Sequence, residues 1–270
     1  MQDATPASPD TVPRLEGAPN FRSVAALPAG DGRRLRTLRL FRSDALHRLT
    51  DADLPRLAAL RIGAVLDLRR DDERTSAPSR WPAPAAPETL TFDVAPDLQA
   101  VRAGGWRDRL ADPDFDADQA RRWMIDTYAR MPGAFAPAVR EAVGRLSVPS
   151  AATTGALLVH CTAGKDRTGF VVAMVLAALD VPHDAIIDDY LESSRRRPPA
   201  ALAQALAAMG GIAPTPRALG AIETIAGVRT EFLDAALDAV ARDFGSVPDY
   251  LQACGLDARA LEALRAAMLE

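Results

Sequence analysis

The sequence predicts an α/β fold with a central, mostly parallel sheet flanked by helices and an additional helical region toward the C-terminus. Three observations lead there. The runs 62–68 (IGAVLDL) and 157–159 (LLV) are short and almost continuously apolar, as strands covered on both faces are. Segments with apolar residues at helical spacing lie between and after them, so strands alternate with helices as parallel crossovers require. From Pro182 onward the periodicity is helical only.

A chain of 270 residues with 48% hydrophobic content can bury one large core. We read residues 1–18 as a flexible segment and 19–270 as a single domain, with 195–245 a candidate helical lid or appendage. The formal net charge of -4 and a pI of about 5.5 argue against nucleic acid as a partner, so any capture of an anion must be local. Two cysteines make no disulfide framework, and Cys254 reads as a small buried hydrophobe. Met1 to Ala18 lacks a basic and apolar leader, and the longest apolar run, Phe170 to Leu179, is too short to span a bilayer. A nucleophilic thiol also needs reducing surroundings. The expected location is cytoplasmic, or outside the cell by export without a recognisable signal peptide.

Taken in order, Leu38 to Phe41 alternates as a strand and delivers Arg42 and Ser43 to its end, where α/β proteins place ligand contacts. Arg42 there either pairs with a carboxylate and tethers a loop or supports the site from behind. Thr50 or Asp51 can cap a helix that runs to about Leu60, with Asp53 in its first turn and Pro55 near its start. The strand from Ile62 to Leu68 carries Asp67, and the run Arg69 to Arg74 alternates in sign, as a solvated turn does. Proline-rich Ser76 to Pro87 is an extended loop, and Glu88 to Val94 alternates as a strand followed by Asp97. Trp106 to Asp118 reads as a surface loop. Asp118 to Met131 and Gly133 to Leu146 read as core-packing helices.

The stretch from Ala156 to Leu179 is the centre of the chain: a buried strand, a tight polar loop, then a buried helix. Cys161 and Arg167 stand six positions apart, and Gly164 between them allows a sharp bend with amides turned inward, as a phosphate cradle needs. The helix start adds unpaired N–H groups and a positive dipole. A dianion there would meet the Arg167 fork, and the same field favours a thiolate on Cys161.

Beyond it, Pro182 to Glu192 is a helix, and its His183 reads as a surface residue. Neither His183 nor His47 nor His160 has clustered ligand partners, so no metal site is expected. Arg195, Arg196 and Arg197 are solvated by default, though able to attract a polyanion. The helix from Ala200 to Met209 carries no charge and ends at Gly210-Gly211, which fits a core helix or a mobile cover. Ala218 to Ile225, Arg229 to Phe244, Pro248 to Cys254 and Asp257 to Leu269 close the chain as amphipathic helices, with Asp257 a good N-cap.

Residues 160–169 (HCTAGKDRTG) resemble the phosphate-binding loop of the cysteine-dependent protein tyrosine phosphatase superfamily. Asn20-Phe21-Arg22 and residues 40–46 (LFRSDAL) resemble the N-terminal signatures of its bacterial tyrosine and serine phosphatase branch, whose best-known members are secreted mycobacterial enzymes. Asp67-Leu68-Arg69 after a strand also recurs in that family near the active site. The resemblance implies hydrolysis of phosphate monoesters through a phosphocysteine intermediate, no cofactor, and a helical lid over the site.

On this reading the Cys161 thiolate attacks phosphorus. The loop from Thr162 through Ala163, Gly164, Lys165 and Asp166 to Arg167 holds the phosphate oxygens. Thr168 is expected to hydrogen-bond the sulfur, and His160 to order the loop. Asp166 is the first candidate for the acid that protonates the leaving oxygen, with Asp93, Asp97 and Asp67 as alternatives. A carboxylate facing a bound dianion is driven toward its protonated form. The alternative role for Asp166 is an ion pair with Lys165. An ammonium at the loop rim favours substrates with additional phosphates, and the Gly-Lys-Asp pattern also resembles phosphoinositide phosphatases. Expected partners are therefore a phosphorylated protein or a phosphoinositide, with inorganic phosphate as product. The competing reading is a phosphate-binding module without turnover.

Overall fold

The computed structural model describes residues 12–82, 86–92, 109, 112, 114–149, 155–210 and 215–270, less the side chains of 205, 206, 209 and 210. Five strands form one sheet: β1 (Arg22–Ser23), β2 (Leu40–Ser43), β3 (Ile62–Asp67), β4 (Glu88–Thr91) and β5 (Ala156–His160). Their spatial order is β1-β2-β5-β3-β4, and every pair is parallel except the edge pair β1 and β2. The mostly parallel sheet expected from the apolar runs is the one observed.

Register brings chemistry to one end of this sheet. Ser43 of β2 and Asp67 of β3 both pair with His160 on the β5 strand between them, so these strands finish level with one another just before Cys161. β2 begins two residues later than the alternation suggests, because Leu38 adopts a φ of 55° and cannot continue a strand. Arg42 and Ser43 therefore lie within the strand rather than beyond it, and all four of its residues are buried.

Side chains alternate between two cores, as strand geometry demands. Leu40, Leu66, Leu157 and Val159 join the larger core, made with the helices α3 (Ala117–Ala129), α4 (Met131–Leu146), α5 (Asp166–Ala178) and α6 (His183–Arg196). Phe41, Val65, Ala156 and Leu158 face the smaller one, with Leu57 of α1 (Asp53–Ala58) and with Leu15, Ala18 and Phe21. Residues 12–18 thus depart from the expected flexible segment. Leu15 and Ala18 are buried, the Asp53 carboxylate accepts from the Glu16 and Gly17 amides at 2.9 Å, and a Cβ on Gly17 would stand 2.0 Å from the Arg48 carbonyl.

α5 is the buried axis of the helical layer. From Arg167 to Leu176 every side chain is buried, which its uninterrupted apolar sequence anticipates, and α4 and α6 pack against it. The closing helices are α7 (Pro199–Gly210), α8 (Pro216–Ala226), α9 (Thr230–Phe244), α10 (Val247–Ala253) and α11 (Ala258–Met268). α9 and α10 also contact α5, and Asp257 caps α11 through the Ala260 amide at 2.8 Å. α7 packs on α8, and α8 on α3, with Ala203, Ala207, Ala221 and Ile222 joined to the larger core. Among the described residues no helix is long and apolar enough to cross a membrane.

Candidate active site

The loop from Cys161 to Lys165 connects β5 to α5 at the end of the sheet where Ser43 and Asp67 also lie. Gly164 makes the bend possible. Its φ is +68°, and a Cβ there would stand 2.3 Å from the Ser43 carbonyl oxygen. The turn points the Gly164 amide at the Cys161 thiol, with N to Sγ at 3.3 Å. Cys161 is buried at the base of the loop, and α5 starts at Asp166, so the helix N-terminus faces the same space.

Two clamps hold the loop from outside. On one side Asn20 Nδ2 donates to the Ala163 and Gly164 carbonyls, both at 3.0 Å, and Arg42 Nη2 donates to the Gly164 carbonyl at 2.9 Å. Arg42 is in turn paired with Asp189 of α6 at 2.5 Å, and Arg22 reaches the other oxygen of Asp189 at 3.3 Å. The Asp189 side chain is 10% exposed, and although burial would raise its carboxyl, the charges of Arg42 and Arg22 hold it below the usual range. Burial and the neighbouring Arg42 pull Arg22 down to about 9.

On the other side stands Glu73 of the short helix α2 (Asp71–Ser76). Its two oxygens take Arg167 Nη1 and Nη2 at 2.7 and 2.9 Å, and one of them also accepts from the Thr162 hydroxyl. The Arg70 amide donates to Glu73 at 2.9 Å, and Arg167 Nη1 donates to the Leu68 carbonyl at 2.9 Å. Burial would raise the Glu73 carboxyl, but the Arg167 guanidinium outweighs it and holds it at about 2.

Asp166 opens α5 with a side chain 15% exposed. Its Oδ1 accepts from Lys165 Nζ at 2.6 Å and from Tyr128 Oη at 2.7 Å. Lys165 Nζ also donates to the Ile225 carbonyl of α8 at 2.9 Å, so the loop and the closing helices are tied together here.

A thiol, an arginine, inward-turned amides and a helix N-terminus around one small space can hold a phosphate dianion and put a nucleophile against it. The profile of the tyrosine phosphatase family matches residues 13–270. The chain belongs to that family. A protein of Cupriavidus necator assigned as a tyrosine-protein phosphatase is 35% identical over 86% of this chain and 80% of its own length. The triple specificity protein phosphatase PtpB of Mycobacterium tuberculosis is 32% identical over 96% of this chain and 99% of its own length. A tyrosine-protein phosphatase of Nostoc commune is 29% identical over 71% of this chain and 58% of its own.

In this phosphatase the residues expected from sequence at 160–168 do converge, with three departures. The Thr168 hydroxyl is buried without a hydrogen-bond partner among the described residues, and the thiol accepts from the Gly164 amide instead of from Thr168. Lys165 is not an open rim charge, because Asp166 and the Ile225 carbonyl engage it. The run Arg69 to Arg74 is not a solvated turn: α2 occupies it and turns Glu73 inward.

Of the alternative acids, Asp67 is buried and held by Arg69, with Nη2 to Oδ2 at 2.7 Å, while Asp93 and Asp97 lie outside the described residues. Burial would raise the Asp67 carboxyl, but its bond from Arg69 keeps it below the usual range. His160 Nδ1 lies 3.3 Å from the Cys161 carbonyl and Nε2 lies 3.6 Å from Asp67, and burial favours the neutral ring. The arginine triplet is tied within the chain: Arg195 and Arg196 pair with Glu192, and Arg197 lies 3.6 Å from Asp44.

Sequence reasoning missed Glu73, Asp189, Tyr128 and Tyr190. A signal existed for two of them. Glu73 stands three residues into α2, where it closes a capping box on the Arg70 amide. Asp189 falls on the same helical face as Ile186, Tyr190 and Ser193, all of which are buried.

Proposed function

We propose that this tyrosine phosphatase hydrolyses phosphate monoesters by a two-step displacement at Cys161. The observation that carries the reading is the Gly164 amide directed at the Cys161 thiol, on a loop whose Arg167 is locked in place by Glu73. The thiolate attacks phosphorus in line while Arg167 and the amides of residues 162–167 take the charge on the phosphate oxygens. As the P–O bond to the substrate breaks, Asp166 gives its proton to the leaving oxygen. Water then attacks the phosphocysteine and releases inorganic phosphate and Cys161. His160, Arg42 and Asp67 keep the loop and its flanking strands in place and take no part in proton transfer.

Asp166 is preferred as the acid because it opens α5 at the cradle itself and one of its oxygens is already held. Phosphotyrosine is the substrate class of the family. We extend the proposal to phosphoserine, phosphothreonine and phosphoinositides on the likeness to the triple-specificity relative. For a polyphosphorylated head group, Lys165 would exchange the Ile225 carbonyl for an additional phosphate, lifting the α7 and α8 region as a lid.

The test is purified protein with an aryl phosphate, phosphotyrosyl and phosphoseryl peptides, and a phosphoinositide panel. Thiol-dependent phosphate release from the phosphotyrosyl peptide is expected, and Cys161→Ser should bind phosphate without turnover. Binding without release by the wild type would favour the non-catalytic module.

A further inference from the structure

Behind Asp166 lies a chain of two buried phenols that the displacement mechanism leaves unused. Tyr128 of α3 donates to Asp166 Oδ1 at 2.7 Å, and the hydroxyls of Tyr128 and Tyr190 of α6 are 2.7 Å apart. Each phenol has one proton. Since Tyr128 spends its own on Asp166, Tyr190 must donate to Tyr128, which fixes the direction of the chain. Both tyrosines are buried, and burial together with the Asp166 charge raises both phenols well above their ordinary range, so they remain neutral donors.

The fold makes room for this chain. Gly169, one turn into α5, faces the Tyr190 ring, and a Cβ there would come within 2.9 Å of it. The consecutive helices α5 and α6 meet the earlier α3 so that two hydroxyls and one carboxylate line up. The charged or titratable groups facing Asp166 are Lys165 and Arg167 on its own loop and helix, Tyr128 from α3 and Tyr190 from α6.

The bonds divide the carboxyl group. Oδ1 takes both Tyr128 and Lys165, whereas Oδ2 accepts no hydrogen bond among the described residues. We propose that Tyr128, oriented by Tyr190, is a positioning residue for the general acid: it fixes Oδ1 so that the proton is carried on Oδ2 and presented to the leaving oxygen. As sulfur bonds to phosphorus and the ester P–O bond breaks, the Oδ2 proton moves to the leaving oxygen. The resulting carboxylate keeps the Tyr128 and Lys165 hydrogen bonds. The inference rests on Asp166 being the acid.

The experiment compares wild type, Tyr128→Phe, Tyr190→Phe and Asp166→Asn on an activated ester (p-nitrophenyl phosphate) and on phenyl phosphate, across pH. Phenylalanine retains the ring packing and removes only the hydroxyl. Loss of a charge-assisted bond predicts that Tyr128→Phe lowers kcat on phenyl phosphate about tenfold, with much less effect on the activated ester and on KM. Its pH profile should differ from that of the wild type, because the variant removes one of the two hydrogen bonds that Asp166 Oδ1 accepts. Tyr190→Phe should change kcat in the same direction by less.

Adding Tyr128→Phe to Asp166→Asn should cost nothing further on phenyl phosphate, since Tyr128 acts through Asp166. If Asp166→Asn leaves phenyl phosphate turnover intact, the assignment of the acid fails. If Asp166→Asn is impaired while Tyr128→Phe keeps the wild-type leaving-group dependence and pH profile, the acid stands and the positioning role is wrong. Should Tyr128→Phe prove unstable because it orphans the Tyr190 hydroxyl, the double variant Tyr128→Phe/Tyr190→Phe removes both groups. It must show the same leaving-group dependence, or the positioning role is rejected.

Discussion

Glu73 and Arg167 form a buried two-pronged ion pair, 2.7 and 2.9 Å along its two arms, that fixes the guanidinium beside the Cys161 loop. Glu73 also accepts from the Thr162 hydroxyl, so one carboxylate braces the loop at both ends. On the proposed mechanism Arg167 meets phosphate in one orientation, and holding it before the ligand arrives leaves less ordering for the binding step.

Replacing that carboxylate tests the bracing. Glu73→Gln takes the charge from the carboxylate that grips buried Arg167, and breaking a buried pair from one side costs ~3–5 kcal/mol. Chemical denaturation should show a loss of that order, and kcat/KM on an aryl phosphate should fall at least tenfold by about the same reasoning. The acid limb supplies a second check. The folded Glu73 carboxyl sits at about 2 against an ordinary 4.5, so its contribution is complete above the ordinary value and is lost as pH falls through about 2. The wild type should therefore lose more stability than Glu73→Gln between those two pH values.

Gly164→Ala is expected to be more damaging to activity than any other single methyl added in the loop. The φ of +68° disfavours a side chain, and the Ser43 carbonyl stands 2.3 Å from the new Cβ, so the bend must open. Turnover of an aryl phosphate should drop by two orders of magnitude or about that, as misplacement by an ångström does. Near-normal kcat in a folded Gly164→Ala protein would mean that the bend is not needed for the cradle.

Asp189 sits between two buried arginines, and Asp189→Asn takes from both the one carboxylate they pair with among the described residues. A stability loss of ~3–5 kcal/mol and a fall in Tm on the order of 10 °C are expected. Because Arg42 also donates to the Gly164 carbonyl, kcat should decline in the variant even at temperatures where it is fully folded. Differential scanning calorimetry alongside steady-state kinetics separates the two effects.

Asp44 gives a pH dependence of opposite sign to that of Glu73. Burial, only partly offset by Arg197, raises its carboxyl to about 6 from 3.8. The folded state therefore favours the protonated form, and that contribution, complete below the ordinary value, is lost as pH rises through about 6. Stability of the wild type should decrease from pH 5 to about pH 7 by ~1–2 kcal/mol through this group. Asp44→Asn, which cannot ionise, should lack that component in denaturation curves taken at both pH values.

Much of this was legible in the sequence where the cause is local. Cys161, Gly164 and Arg167 are close along the chain, and a strand handing over to a buried helix leaves few shapes for the residues between them. Apolar runs and alternation placed β2, β3 and β5 within two residues, whereas β4 ends at Thr91 and the two-residue β1 had no such signal; the charge-free run after Arg167 required a buried helix, which α5 is. Local rules failed where the deciding neighbour is remote. Leu38 has an alternating pattern around it, yet its positive φ moves the start of β2.

The sequence by itself determined the parallel sheet, the loop and the chemistry the loop can carry, because these follow from apolar periodicity and from residues adjacent in the chain. Tertiary structure alone decided what holds that loop. Arg69 to Arg74 has the same alternating charges whether it faces water or protein. Only the burial of α2 beside Arg167 turns Glu73 into a brace, because a carboxylate removed from water must find a cation. The same holds for Asp189 under Arg42 and for Tyr128 on Asp166. In each case the partners lie far apart in the chain and meet only when the helices pack.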